Sequence, residues 1–402
     1  MKLTQVLCHQ HIGRMVKRHW LNSAKKILPN DEMEAAVKQL EKVNPTIVRA
    51  EEHFLGINKS TSMETTKNIP TLNLPKMYSY STDSLLIEGV RQAQVLTKSV
   101  SVENLPSRYV KFLKNLTISD TVHEKMEQDI LSAHLFDAEQ KKTKRIYDPQ
   151  RPAFNFPRVY GITEERKNIL ILDKLIRHCE RLTTNKAENL QKRIIHEPFL
   201  KVNFEKDGKE IGMDLLANLL ITSTKPIAKV AEVSQDHEEL PDLFPLNFTS
   251  SLKAVGSEGW EDFYPINTGH RFTSFHTIFP TFTSEMKTFH EVPINESQIR
   301  SRTLFYAFTA AAAKAKRQFG DNVQTLPEPI VVQAIHTNGQ SFHFGVFQLN
   351  TLDLCGQEGD KNVWHESKIE NLYSNCAYVQ GKPQLEGYNP GVLEKFFTFY
   401  SQ

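Results

Sequence analysis

Residues 295–320 read NESQIRSRTLFYAFTAAAAKAKRQFG, and residues 330–351 read IVVQAIHTNGQSFHFGVFQLNT. The first stretch is a helix with both ends marked. Asn295 can accept a hydrogen bond from a first-turn N–H and Gln298 can return one, the reciprocal pattern of a capping box. Ser301, Phe305, Phe308, Ala312, Ala315 and Phe319 then fall on one helical stripe. Gly320 is a natural stop. Between Ser297 and Gly320 there are five cations (Arg300, Arg302, Lys314, Lys316 and Arg317) and no acid. Arg302, Lys314, Lys316 and Arg317 are expected on the arc opposite the apolar stripe. There they could neutralise phosphates or stand in solvent, and the residues alone leave those two readings level.

The second stretch is a hairpin. Asn338-Gly339 between two β-rich runs is a strong turn signal, since a type I′ turn needs positive φ at both central residues. A two-residue turn at that point pairs Ile335 with Phe342, Gln333 with Phe344 and Val331 with Val346 on one face. The other face then carries Ala334 with His343, Val332 with Gly345 and Ile330 with Phe347. Both faces are largely apolar, so the hairpin should be covered twice, by the preceding helix and by another layer or partner. Residues 295–354 therefore read as one αββ unit.

Working outward, residues 246–294 read as irregular β structure and residues 232–245 as an acidic loop. Residues 199–204 and 211–221 are expected to pair across Asp207-Gly208. Thr163 should cap a helix carrying Ile169, Leu172, Leu175 and Ile176. Helices are expected from Asp83 through Leu96 and over residues 121–140. The basic run Lys141, Lys142, Lys144 and Arg145 precedes a proline-bearing segment that cannot continue a helix. The chain is expected to be α+β, with mixed helices and mainly antiparallel sheet. Its expected parts are residues 1–30, an amino-terminal extension or strap over 31–82, a mainly helical part over 83–192 and an α+β part over 193–402.

Composition sets the outer limits. The 402 residues hold 49 Lys+Arg against 47 Asp+Glu, and only four cysteines. Those cysteines (Cys8, Cys179, Cys355 and Cys376) lie far apart, which argues against a disulfide scaffold or a zinc knuckle. No apolar run approaches the roughly 18 residues of a membrane span. Charge is unevenly placed, because Lys2, Arg14, Lys17, Arg18, Lys25 and Lys26 all precede the first acid, Asp31. With Ile12, Val16, Trp20 and Ile27 at helical spacing, residues 1–30 have the form of a mitochondrial targeting segment. The alternative reading is a basic RNA-binding or surface tail.

Catalytic templates fail in turn. There is no glycine-rich phosphate loop, and Val255 occupies the place where a nucleophile elbow at Ser257 needs glycine. The His-Glu pairs at 123, 196, 237 and 365 never extend to a zinc-binding helix motif. His336 and His343, flanking the turn, read as packing residues. Trp260, Phe263 and Tyr264 could stack on bases, although packing of a loop onto the sheet is the simpler reading. No catalytic residue, metal or cofactor is expected.

Leu304-Phe305-Tyr306-Ala307-Phe308 through Phe319-Gly320-Asp321, then Pro327-Glu328-Pro329-Ile330-Val331-Val332-Gln333, resemble the family of mitochondrial large-subunit ribosomal protein thirty-seven. The likeness continues through Thr337-Asn338-Gly339, Phe342-His343-Phe344, Val346 to Thr351, Asp353-Leu354 and Lys361-Asn362. Two shorter blocks, residues 85–98 and 259–267, follow the same family in the same order. A sister mitoribosomal protein, historically programmed cell death protein nine, shares the general pattern. The resemblance implies an architectural component of the mitochondrial large ribosomal subunit, in the matrix. It would lie next to ribosomal RNA and other mitoribosomal proteins, the sister among them. Candidate contacts are then Lys141, Lys142, Lys144, Arg145, Arg302, Lys314, Lys316 and Arg317. The competing hypothesis is a soluble matrix enzyme or free RNA-binding factor.

Overall fold

The structure is a computed structural model. It describes residues 76–402 apart from 136, 139, 143–148, 154–159, 185–190, 232–238, 258–259, 268, 285, 287–291 and 380–381. The targeting segment, the strap before residue 76, Lys144 and Arg145 lie outside the described residues. Residues Asn73–Gln402 form one compact unit.

The unit is built on helix α5 (Glu296–Phe319), and the capping box at Asn295 and Gln298 is formed as expected. Two sheets flank this helix. On one side lies a four-stranded sheet in the order β6 (Phe199–Lys206), β7 (Lys209–Leu216), β1 (Lys76–Ser81), β9 (Lys253–Gly256). On the other lies an eight-stranded sheet. Its main path runs β2 (Ser99–Glu103), β13 (Asn362–Glu366), β12 (Ser341–Thr351), β11 (Thr325–Thr337), β10 (Ser274–Phe279), β8 (Leu219–Ser223), β5 (Lys192–His196). The short β14 (Glu370–Asn371) adds to β12. Most pairs are antiparallel; β1–β7, β10–β11 and β2–β13 are parallel. The expected α+β class is what the structure shows.

The hairpin β11–β12 is covered on both faces, as its sequence demanded. Ile330, Val332, Ala334, Phe347 and Leu349 pack with α5, α1 (Val90–Thr97) and the inner face of the four-stranded sheet. Val331, Ile335, Phe342, Phe344 and Val346 pack into a second core. That core is closed by α2 (Ser107–Lys114), α3 (Asp120–Leu135), α4 (Glu164–Leu182) and α6 (Pro390–Tyr400). Thr163 caps α4 as expected. Two short ribbons complete the described elements, β3 (Lys141–Lys142) with β4 (Tyr160–Gly161), and β15 (Asn375–Val379) with β16 (Lys382–Glu386).

The hairpin register differs from expectation. Ile335 pairs with Phe344 and Gln333 with Val346, two positions on from the expected partners, so the faces are preserved. The turn centres on Gly339-Gln340, and only Gly339 adopts positive φ. Asn338 contributes through its side chain instead. Its Oδ1 accepts from the N–H of Gln340 at 3.1 Å and of Ser341 at 2.7 Å, which opens the turn one residue later.

Two further differences share a cause in long-range contacts. Helix α1 starts at Val90 rather than near Asp83, because Gly89 takes φ +58° against Ser297 of α5. Arg302 also takes the carbonyl of Ser84, which a helix from Asp83 would need for its own ladder. The hairpin across Asp207-Gly208 forms, but the second arm splits after Leu216, and residues 219–223 join the other sheet. Strands from both sides of residue 193 share sheets, β1 beside β7 and β2 beside β13.

Candidate interaction site

Helix α5 is buried on all sides from Ser301 to Ala315, not on one stripe. The Ala310–Ala313 run explains how, since small side chains let a sheet approach from each side. A helix so placed has no outward arc for cations, and the expectation of a basic face is corrected here. Arg302 is 1% exposed and donates to the carbonyl oxygens of Thr82 at 2.6 Å and Ser84 at 3.1 Å. Lys316 Nζ reaches Asn203 at 2.7 Å and Asp262 at 2.8 Å. Arg300 forks onto Glu366, with Nε to Oε2 at 2.9 Å. Lys314 is buried, with Nζ 3.2 Å from Ser274 Oγ. Arg317, in the last turn, is exposed.

The other expected cluster is on the surface. Lys141 and Lys142 form β3 and are exposed, with Lys142 Nζ 5.6 Å from the Tyr160 ring centre. The structure therefore brings Lys314, Lys316 and Arg317 together at the end of α5 and leaves Lys141 and Lys142 on a separate ribbon. Trp260 is half-buried, lying over Gly212 with Lys201 Nζ 4.1 Å from its ring centre. Tyr264 stacks on Phe275 at 4.5 Å, which is the packing role, while Phe263 stays exposed beside Phe199.

A cleft of about 820 Å³ opens at the end of α5. Lys314, Arg317 and Phe319 line it together with Ser274, Ile330 and Ile227. Strands β10 and β11 are paired only at Thr277–Gln333 and Ile278–Ala334, and the cleft lies beyond the end of that pairing.

Sequence reasoning missed one constellation. His343 Nε2 lies 3.1 Å from Glu366 Oε2, and its Nδ1 lies 2.7 Å from Thr303 Oγ1. Ser101 Oγ donates to Glu366 Oε1 at 3.0 Å. Burial alone would raise the Glu366 carboxyl, but the bonds from His343 and Arg300 override it and hold the pKa at about 2. Hydroxyl, imidazole and carboxylate stand in the order of a nucleophilic relay. Yet Thr303 donates its hydroxyl hydrogen to the Ile299 carbonyl at 3.0 Å, and Thr303 and His343 are wholly buried. No substrate reaches that hydroxyl; the group is a lock between α5, β12, β13 and β2. The sequence signal was a charged Glu366 following Val363 and Trp364 in a strand otherwise fit for a core.

Comparison with known proteins bears on this fold. A family model described as "Mitochondrial 28S ribosomal protein S30 (PDCD9)" matches residues 260–402. Large ribosomal subunit protein mL37 of Gallus gallus is 28% identical over 337 residues, covering 78% of this chain and 71% of the relative. The Bos taurus protein of that name is 26% identical over 332 residues, with 78% and 72% covered. The Mus musculus protein is 25% identical over 331 residues, with the same coverage. The family description names a 28S particle and the relatives a large subunit. The relatives' match is the longer and includes the region before residue 260.

Proposed function

We propose that this chain, similar to Large ribosomal subunit protein mL37 over most of its length, is a structural component of the large subunit of the mitochondrial ribosome and works there in mitochondrial translation. The observation that carries this is the extent of the likeness, 78% of the chain. It resides in the mitochondrion within that particle. Its role is architectural rather than enzymatic, as the names of the ribosomal proteins it resembles suggest. No described helix is long and apolar enough to cross a membrane.

Finer points belong to the same reading. Residues 1–30 direct the chain to the matrix. The outward contacts with ribosomal RNA or neighbouring proteins, the sister mitoribosomal protein included, come from Lys141, Lys142, Lys144 and Arg145, and from Arg317 at the end of α5. Arg302 and Lys316 are withdrawn from that set because backbone carbonyls take the one and Asp262 the other, and Lys314 is withdrawn from the outward contacts because it is buried.

Sedimentation of mitochondrial lysate tests the assignment. Nearly all of the chain should comigrate with the large subunit at physiological salt. Changing Lys141, Lys142, Lys144 and Arg145 to Gln should weaken that association, more so as salt rises. A soluble, monodisperse pool of the unaltered chain would overturn the proposal.

A further inference from the structure

Among the described residues, Lys314 has no counter-charge. The residue is 8% exposed, its ammonium has three hydrogens, and among the described residues its hydrogen-bond partner is Ser274 Oγ at 3.2 Å. Two other buried lysines, Lys98 and Lys206, do have carbonyl partners. Lys98 Nζ donates to the carbonyls of Asp353 and Cys355 at 3.2 and 2.9 Å. Lys206 Nζ donates to Leu354 O at 2.7 Å, with Asp207 3.7 Å away. Burial lowers the Lys314 pKa to about 8, with no carboxylate among the described residues opposing it. A buried, underused ammonium costs stability, and alanines at 313 and 315 show what the helix takes when packing is all that matters. The residue is better explained by what enters the cleft it lines.

That cleft has two chemical ends. Lys314 and Arg317 supply positive charge, and Ile227, Ile266, Phe319 and Ile330 supply apolar wall. Glu328 is the one acid among the lining residues, and Lys229 adds a further cation. A volume of about 820 Å³ is far larger than a carboxylate side chain needs and falls in the range of small-ligand sites. We propose that the cleft binds a nucleoside phosphate, its phosphate held by Lys314 and Arg317 and its base laid against the apolar wall. The source is either a free mononucleotide or one nucleotide of an RNA strand. The first is independent of the ribosomal reading; the second rests on it.

The test uses the purified full-length chain. The probes are fluorescently labelled adenosine and guanosine monophosphates, a labelled short single-stranded RNA, and an acidic peptide as control. Binding of a mononucleotide should be saturable and should raise the melting temperature, or, if the source is a strand, the RNA alone should do so. Lys314→Met should weaken binding by about tenfold or more while making the unliganded chain more stable. Arg317→Gln, at an exposed position, should weaken binding and leave the melting temperature unchanged. The proposal is overturned if neither nucleotide nor RNA binds, if the acidic peptide binds in their place, or if Lys314→Met binds as well as the unaltered chain. A Lys314→Met chain less stable than the original would also overturn it, because the ammonium would then be satisfied within the fold. Failure here with intact comigration on gradients would leave the ribosomal assignment untouched.

Discussion

Phe308→Ala should lower the free energy of unfolding by about 3–5 kcal/mol, the range for removing a fully buried aromatic ring. The ring stands where two sheets meet the helix between them. It makes an edge contact with Phe204 of β6 at 5.3 Å and another with Phe347 of β12 at 5.8 Å. One side chain thus keys the four-stranded sheet to the eight-stranded one. The cavity left by alanine would be walled by two hydrogen-bonded sheets and the helix backbone, none of which can collapse into it cheaply. Denaturant unfolding monitored by circular dichroism should show the midpoint fall with little change in slope. A loss below about 1 kcal/mol would mean that the ring is not enclosed as described.

The second large effect belongs to Glu366. Removing its carboxylate leaves the fully buried His343 and the half-buried Arg300 without their partner. Breaking a buried pair from one side costs roughly 3–5 kcal/mol. Glu366→Gln should approach that loss near neutral pH, measured by the same denaturant titration. The pH dependence carries the sign. Because the folded-state pKa is held at about 2, below the ordinary 4.5, the stabilisation is complete above the unfolded-state value. It disappears as pH falls from about 4.5 through 2. The unaltered chain should lose about 3 kcal/mol across that window from this group, and Glu366→Gln should lack that component. Equal acid sensitivity of the two chains would show that the carboxylate is not held in the lock.

These two residues also mark how far the sequence could be read. The ends of α5, the existence of the hairpin and its double coverage were legible because each is written locally. Asn295 lies three residues from Gln298, Gly320 follows Phe319, and the strands alternate across their turn. The register was not, because Asn338 can shape a turn through its backbone or through its side chain, and only the folded turn shows which. The fate of the cations was illegible for a stronger reason. Arg300 meets a carboxylate 66 positions away, and Arg302 meets carbonyls some 220 positions away. A sequence shows charges; it does not show what neutralises them. Nothing in residues 76–81 read alone places them between β7 and β9 in a sheet, so that strand was absorbed into the expected strap. The family likeness was legible because it sits largely in the same locally written block, residues 300–365, most of whose helix and strand positions are buried.

Helix α5 spends most of its charge inside the fold, and we propose that other, exposed cations face the large subunit. Amine-reactive labelling, read by mass spectrometry on the chain within the isolated large subunit and on the chain released from it, tests this most directly. Lys98 and Lys206, buried in the chain itself, and Lys316 of α5, paired with Asp262, should be protected in both states. Lys141 and Lys142, exposed in the chain, should react readily after release and be protected in the particle. Surface-like labelling of Lys316 in the released chain, together with unchanged labelling of Lys141 and Lys142 between the two states, would contradict both statements.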